Sequence, residues 1–167
     1  PTPSSAASDV YKRQDIMTDE SFSNIWLIDY DGTNNRPITT GNFKDNSPKW
    51  SNKGDKFIFK SNREGKSQIF LFDLNNNSIQ KLTNFQYSIE STQWSPDDNY
   101  ILFSSFIDSE RDTLIEMPDK PKGAKWNDPP VEISDLNYKY DSSGFRKPGE
   151  VQFFTIPING GTPRQIS

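Results

Sequence analysis

The chain says the same thing twice, 44 residues apart. "PKWSNKGDKFIFKSN" runs from Pro48 to Asn62, and "TQWSPDDNYILFSS" from Thr92 to Ser105. Trp50 and Trp94 are separated by 94 − 50 = 44 positions. The same offset pairs Ser51 with Ser95, Gly54 with Asp98, Phe57 with Ile101, Phe59 with Phe103 and Ser61 with Ser105. A fixed period of this kind is a severe constraint, because each copy is a small unit that cannot bury its apolar surface alone. The copies must stack on one another.

A second motif keeps the spacing. "IWLIDYDGTNNRPITTG" (Ile25 to Gly41) aligns without a gap with "IFLFDLNNNSIQKLTNF" (Ile69 to Phe85). Asp29 then matches Asp73, Ile38 matches Leu82 and Thr39 matches Thr83, while "FFTIPINGGTPRQIS" begins a further copy at Phe153. Each copy is an apolar run, a cluster of turn formers and a short second run. Asp31-Gly32, Asn75 to Asn77 and Asn159-Gly160-Gly161 supply residues that tolerate the positive φ of tight hairpins. The Trp-Ser motif reads as a hairpin too, turning at Asn52 to Asp55 and at Pro96 to Asn99. Two hairpins per 44 residues make four strands, the size of one propeller blade. The expected fold is all-β, an open partial β-propeller of about three to four antiparallel four-stranded blades. Trp50, Trp94, Phe59 and Phe103 are expected to pack between blades, with Ser51, Ser95 and Asp97 bonding within turns. Asp29 and Asp73 hold the corresponding repeat position in the other motif.

Composition fits. Hydrophobic residues make up only 31% of the chain but aromatics 13%, which suits short strands diluted by long polar turns rather than disorder. The chain has no histidine, so a Ser-His-Asp triad, a Cys-His dyad and a His-ligated metal are impossible within it. It has no cysteine either, which removes disulfides and thiolate chemistry. No catalytic, cofactor-binding or metal-binding residue is expected, and no cofactor. A net charge of −4 without basic runs argues against nucleic acid, and no apolar stretch is long enough to span a membrane.

Four segments follow from the pattern. Residues 1–14, "PTPSSAASDVYKRQ", lack apolar periodicity, and "DVYKRQ" resembles the translation of a transposon-end sequencing adapter. They are expected to be a non-native or disordered tail, outside the fold. Residues 15–106 carry the repeats. Residues 107–150 interrupt them with a Pro- and Lys-rich stretch, and 151–167 start a blade that stops in mid-pattern. Both ends read as cut, so the isolated chain is expected to be inactive and to expose unpaired strand edges.

"SPKWSNKGDKFIFKSNREGKSQIFLFDLNNNSIQKLTN" resembles the WD40-like PD40 propeller repeat, ideally P-x-W-S-P-D-G-K-x-I-x-F, S-x-R, Q-I-Y-x-x-D, L-T. Trp50, Ser51, Gly54, Ser61, Arg63, Gln68, Ile69, Asp73, Leu82 and Thr83 match it, and Trp94, Ser95, Pro96 and Asp97 match it again. That repeat serves both TolB-like periplasmic scaffolds and the N-terminal propellers of prolyl-oligopeptidase-type serine peptidases. The interruption resembles the acylaminoacyl-peptidase branch of the latter, with Trp126, Pro129, Leu136, Tyr138, Asp141 and Gly144 at matching positions and Ser142-Ser143 in place of a single glycine.

The resemblance implies a non-catalytic propeller that gates and selects peptide substrates for an α/β-hydrolase domain C-terminal to it. That domain would be the partner, and it would carry the nucleophile elbow, G-x-S-x-G, which occurs nowhere here. The alternative is a TolB-like scaffold binding a protein partner, with a propeller lectin or sensor as a further rival. The compartment stays open, periplasm being preferred to cytoplasm. Glu110, Arg111 and Asp112 are candidates for substrate contact, weighed against a solvated charged loop. "DYDGTNN" reads as a hairpin turn rather than a calcium loop, since it lacks the glutamate at loop position 12. Asn76-Asn77-Ser78 is a formal glycosylation sequon of little weight. Arg63 is expected to bond a neighbouring turn or blade.

Overall fold

The computed structural model describes residues 6–29, 31–109, 118–127, 139–140, 144–145 and 148–167. Among them every regular element is a strand. The chain divides into two compact units, Pro1–Phe106 with Val151–Ser167, and Ile107–Glu150.

The first sheet holds β1 (Ala6–Asp15), β2 (Glu20–Asp29) and β3 (Arg36–Pro37), in that order. The second is a meander of β4 (Asn46–Trp50), β5 (Lys56–Ser61), β6 (Gln68–Asp73) and β7 (Ser78–Lys81). The third begins with β8 (Ile89–Trp94) and β9 (Tyr100–Asp108). After the small pair β10 (Lys139–Tyr140) and β11 (Gly144–Phe145), it is completed by β12 (Gly149–Pro157) and β13 (Arg164–Gln165). All named pairings are antiparallel. These are successive propeller blades in an open run, and the hairpins fall where Asp, Asn and Gly cluster.

Burial explains why the sheets must stack. β5 and β6 carry a run of buried residues rather than an alternation, the mark of a sheet covered on both faces. The register pairs Phe57 with Phe72 and Phe59 with Phe70 on one face, and Ile58 with Leu71 on the other. The phenylalanine face meets Ile25 of the first blade in one core cluster, joined by half-buried Ile38, Trp50 and Leu74. On the other face, the Lys49 ammonium reaches the Thr92 carbonyl of the third blade at 2.5 Å, and Lys60 bonds the Glu90 carbonyl. Phe103 stacks on Phe154 at 5.4 Å, and Phe85, from the link between blades, closes edge-on against both.

Residues 6–15, most of the segment set apart on sequence grounds, form β1 and pair with β2 along ten positions. The pairing is a main-chain affair. From Asp9 to Asp15 only Val10 and Asp15 are half-buried, and the rest are exposed. The open edge of β2 is a row of unpaired N–H and C=O groups that will template any extended segment, whatever its side chains.

Candidate functional site

The blades are held by four hydrogen-bonded joints, the first two of which recur at the same place in successive blades. The first closes the A–B turns, those between the first two strands of a blade (β4–β5 and β8–β9). Ser51 N donates to Lys56 O and Ser95 N to Tyr100 O, both at 2.9 Å. The two serine hydroxyls then accept from Lys56 N at 3.2 Å and Tyr100 N at 2.9 Å. Each hydroxyl donates to an aspartate of its own turn, Ser51 to Asp55 at 3.0 Å and Ser95 to Asp97 at 2.6 Å. Hydrogen bonds from Ser95 and Asn99 hold the Asp97 carboxyl below the usual carboxylate range. Gly54 and Asp98, paired by the 44-residue register, both take the left-handed conformation, at φ of +72° and +58°.

The second joint uses the threonine of the L-T pair. Thr39 Oγ1 accepts from Ile25 N and Thr83 Oγ1 from Ile69 N, each at 2.9 Å. Thr83 in turn donates to Gln68 Oε1, which also accepts from Phe85 N. These bonds replace sheet pairing where the last strand peels away, so the backbone there is not left unsatisfied.

The third joint ties blade to blade. Trp94 Nε1 donates to Lys49 O at 2.8 Å. Beside it the Asp98 carboxylate accepts from Asn52 N, Asn52 Nδ2 and Lys53 N, at 2.8, 2.8 and 3.1 Å. Asp98 therefore accepts a left-handed backbone, which costs roughly 1–2 kcal/mol for a non-glycine residue, in return for three bonds across the turns. Two variants separate these effects. Asp98→Ala, which loses the bonds and keeps the backbone cost, is expected to destabilise by about 2 kcal/mol, and Asp98→Gly by under about 1 kcal/mol. Urea midpoints check the ordering, and equal losses would show that the backbone conformation is irrelevant.

The fourth joint has no repeat. The Arg63 guanidinium bonds both oxygens of Asp45, at 3.0 and 3.1 Å, and lies over the rings of Phe70, Phe43 and Phe59. Asp45 is fully buried, and its backbone is held to the first blade by Asp45 N to Ser23 O at 2.9 Å and Ser23 Oγ to Asp45 O at 2.8 Å.

The residues singled out from sequence now have addresses. Phe59 and Phe103 are fully buried, and Trp94 is nearly so. Trp50 packs edge-on against Phe57 at 5.1 Å. Asp29 Oδ2 accepts from Asn34 Nδ2 at 2.7 Å, and Asp73 Oδ1 from Asn75 N at 2.9 Å, both inside their own turns. In the "DYDGTNN" turn, Asp31 accepts from the Thr33 backbone and hydroxyl, which lower its carboxyl in the same manner as Asp97. Among the described residues no group of three or more acidic, histidine or cysteine side chains is placed to hold a metal. Glu110, Arg111, Asp112, Pro129, Leu136, Tyr138, Asp141 and Ser142-Ser143 lie outside the described residues; Trp126 is exposed and Gly144 lies in β11. Asp45 and Asp98 were not singled out as partners, although the Gly54–Asp98 register already marked the latter as a residue in a glycine's place.

Turned away from the core, Trp26 and Ile28 of β2 join Tyr11, Asp9 and Asn35 around an open cavity of about 560 Å³. This is the face of the first blade opposite Ile25, and no core cluster of described residues packs on it.

Comparison with known proteins follows the same lines. The family profile "TolB beta propeller domain" (PD40) matches residues 14–122. The "Uncharacterized peptidase YuxL" of Bacillus subtilis is 27% identical over 161 residues, 96% of this chain and 23% of that protein. A "Protein TolB homolog" of Chlamydia caviae is 30% identical over 101 residues, 59% of this chain and 24% of that protein. The chain thus spans about a quarter of the length of these relatives. An acylaminoacyl peptidase of Pyrococcus horikoshii superposes with a TM-score of 0.70 over 97% of this chain and 23% of that one, at 19% identity. TolB of Agrobacterium tumefaciens does so with 0.56 over 95% of this chain and 44% of that one, at 18% identity. At such identities the superpositions speak for the fold alone.

Proposed function

This chain belongs to the TolB β-propeller domain family, and from that premise we propose that it is the propeller part of a prolyl-oligopeptidase-type serine peptidase. In this reading it gates and selects peptide substrates for an α/β-hydrolase domain lying C-terminal to it in the same polypeptide. The observation that carries the reading is the reach of the peptidase likeness. It runs over 96% of the chain, whereas the TolB homologues match 59–60% of it. In sequence, the match to the peptidase relative is long enough to take in the interruption at residues 107–150; in structure TolB too superposes over 95% of the chain, with a TM-score of 0.56 against 0.70 for the acylaminoacyl peptidase.

The chain's own residues would then do positional work. Without histidine or cysteine it supplies no general base of the usual kind and no thiol nucleophile. The interlocked blades would form a stiff wall, and the turns at their ends would restrict which substrates reach the nucleophile. The second reading, a scaffold that binds a protein partner, is favoured by the family itself and by the 30% identity to TolB homologues.

A fluorophosphonate probe separates them. The full-length polypeptide is expected to be labelled on one serine outside these 167 residues, and the 167-residue chain to stay unlabelled. Absence of labelling on an active-folded full-length protein would overturn the peptidase reading. Gating itself is tested on unlabelled enzyme by removing the propeller, which should raise activity on long peptides relative to short ones.

A further inference from the structure

The turn that joins the last two strands of a blade exists here in three versions. Asp31, Asn75 and Asn159 hold the same place in it, since 75 − 31 = 44 and 159 − 75 = 84, the offsets that align Ile25 with Ile69 and Ile69 with Phe153. The residues that follow are Gly32, Asn76 and Gly160. The first and third turns share one backbone. Gly32 N donates to Asp29 O and Gly160 N to Pro157 O, both at 2.9 Å, and the two glycines sit at φ of +82° and +84°. Both glycines lie in open space, where even an added Cβ would meet nothing within 4 Å.

What differs is the side chain ahead of the glycine. Asp31 Oδ1 accepts from Thr33 Oγ1 at 2.6 Å and from Thr33 N at 2.9 Å. Those bonds hold its carboxyl in the charged form, whose carbon is a poor electrophile. In the third blade the residue at the place of Thr33 is Gly161, which has no hydroxyl to offer. The Asn159 side chain is exposed, and no described residue bonds its amide. It is an uncharged electrophile beside the nitrogen of a residue with no Cβ to hinder approach. Asn159-Gly160 is also the one Asn-Gly step in the sequence. In the second blade Asn75 and Asn76 precede residues with side chains, and Ser78, after Asn77, is already paired with Asp73.

We propose that Asn159 is a spontaneous modification site, at which the main-chain nitrogen of Gly160 displaces ammonia from the side-chain amide. The Gly160 N–Cγ bond forms, the Cγ–Nδ2 bond breaks, and Nδ2 leaves as ammonia with the proton that Gly160 N gave up. Water then opens the succinimide ring. Attack at Cγ gives aspartate, and attack at the main-chain carbonyl carbon gives isoaspartate. Water enters and ammonia departs, with no change of oxidation state. Asparagine is among the thermolabile residues, and here the only restraint on the step is the Gly160 N to Pro157 O bond, which must open first. The aspartate product copies the first blade. The isoaspartate product lengthens the main chain inside a turn that closes only two paired positions, Phe154 with Gln165 and Thr155 with Arg164.

The test ages the 167-residue chain in mildly alkaline buffer, with a parallel sample in urea, and maps its peptides by mass spectrometry. In native buffer the peptide carrying Asn159 should lose its amide progressively to a mixture of aspartate and isoaspartate. The peptides carrying Asp31, Asn76 and Asn77 should stay unchanged. In urea, where Thr33 no longer holds it, Asp31 should begin to isomerise. Thr33→Gly gives the first blade the residue found at Gly161 and should bring that isomerisation into native buffer, while Asn159→Gln should abolish the reaction at its own site. The proposal is overturned if Asn159 stays intact, if Asn76 or Asn77 is converted before it, or if Asp31 in the parent chain isomerises alongside it in native buffer. An Asp31 left unchanged by Thr33→Gly would overturn it as well, since the missing hydroxyl would then not be what exposes Asn159.

Discussion

Phe59→Ala is expected to remove about 3–5 kcal/mol of stability, the range for deleting a large ring from a packed core. The side chain is fully buried. Its ring stacks on Phe70 at 5.6 Å, lies 6.1 Å from Phe57, and carries the Arg63 guanidinium 5.6 Å above it. None of these neighbours is free to fill the hole. β5 and β6 are locked by six consecutive paired positions, and the rings meet Ile25 of the blade beyond. Relaxation would require one blade to move against another, so the cavity should persist. Phe59→Leu fills most of the volume and is expected to cost about 1–1.5 kcal/mol. In urea, the alanine variant should lower the midpoint by about 2 M at a typical dependence of ~2 kcal/mol per molar. A loss under about 1 kcal/mol for Phe59→Ala would mean that the sheets do not interlock through these rings.

The same register explains what the sequence could reveal. The A–B turns were legible because their chemistry is local: a serine hydroxyl reaches five residues along its own chain, so a period in sequence is a period in structure. Gly54 and Asp98 even betray a shared backbone conformation through two residues that tolerate it. Three features were not legible, each for a physical reason. The pairing of β1 with β2 demands little of the β1 side chains, and "SDVYKRQ" shows no periodicity to announce it. Trp50 and Trp94 look identical in sequence, yet among the described residues only the Trp94 indole nitrogen of the two finds a carbonyl to bond. Asp45 and Arg63 are 18 residues apart across a strand irregularity, and no 44-residue echo links them.

That missing echo sets up the sharpest expectation. Asp45 plus 44 is Ile89, and Arg63 plus 44 is Ile107. The backbone keeps the register even though the chemistry does not: Asp45 N bonds Ser23 O at 2.9 Å, and Ile89 N bonds Ser67 O at 3.0 Å, again 44 residues on. Ile89 is buried as Asp45 is. One position thus holds a carboxylate in one blade and an alkyl side chain in the next. Burying the carboxylate is tolerable only while the guanidinium faces it, since an uncompensated buried charge costs several kcal/mol. Arg63→Leu is therefore expected to destabilise by about 3 kcal/mol, the lower end of the range for breaking a buried pair. The lower end applies because the arginine side chain keeps 22% of its surface in water. The double variant Asp45→Ile with Arg63→Ile copies the next blade and removes the charge along with its partner. It should recover to within about 1–2 kcal/mol of the parent, the remainder being the lost stacking of Arg63 on Phe70 at 4.7 Å. A double-mutant cycle in urea reads the coupling directly. If the double variant were no better than Arg63→Leu, the stranded carboxylate would not be the source of the loss, and the match with Ile89 would be one of backbone alone.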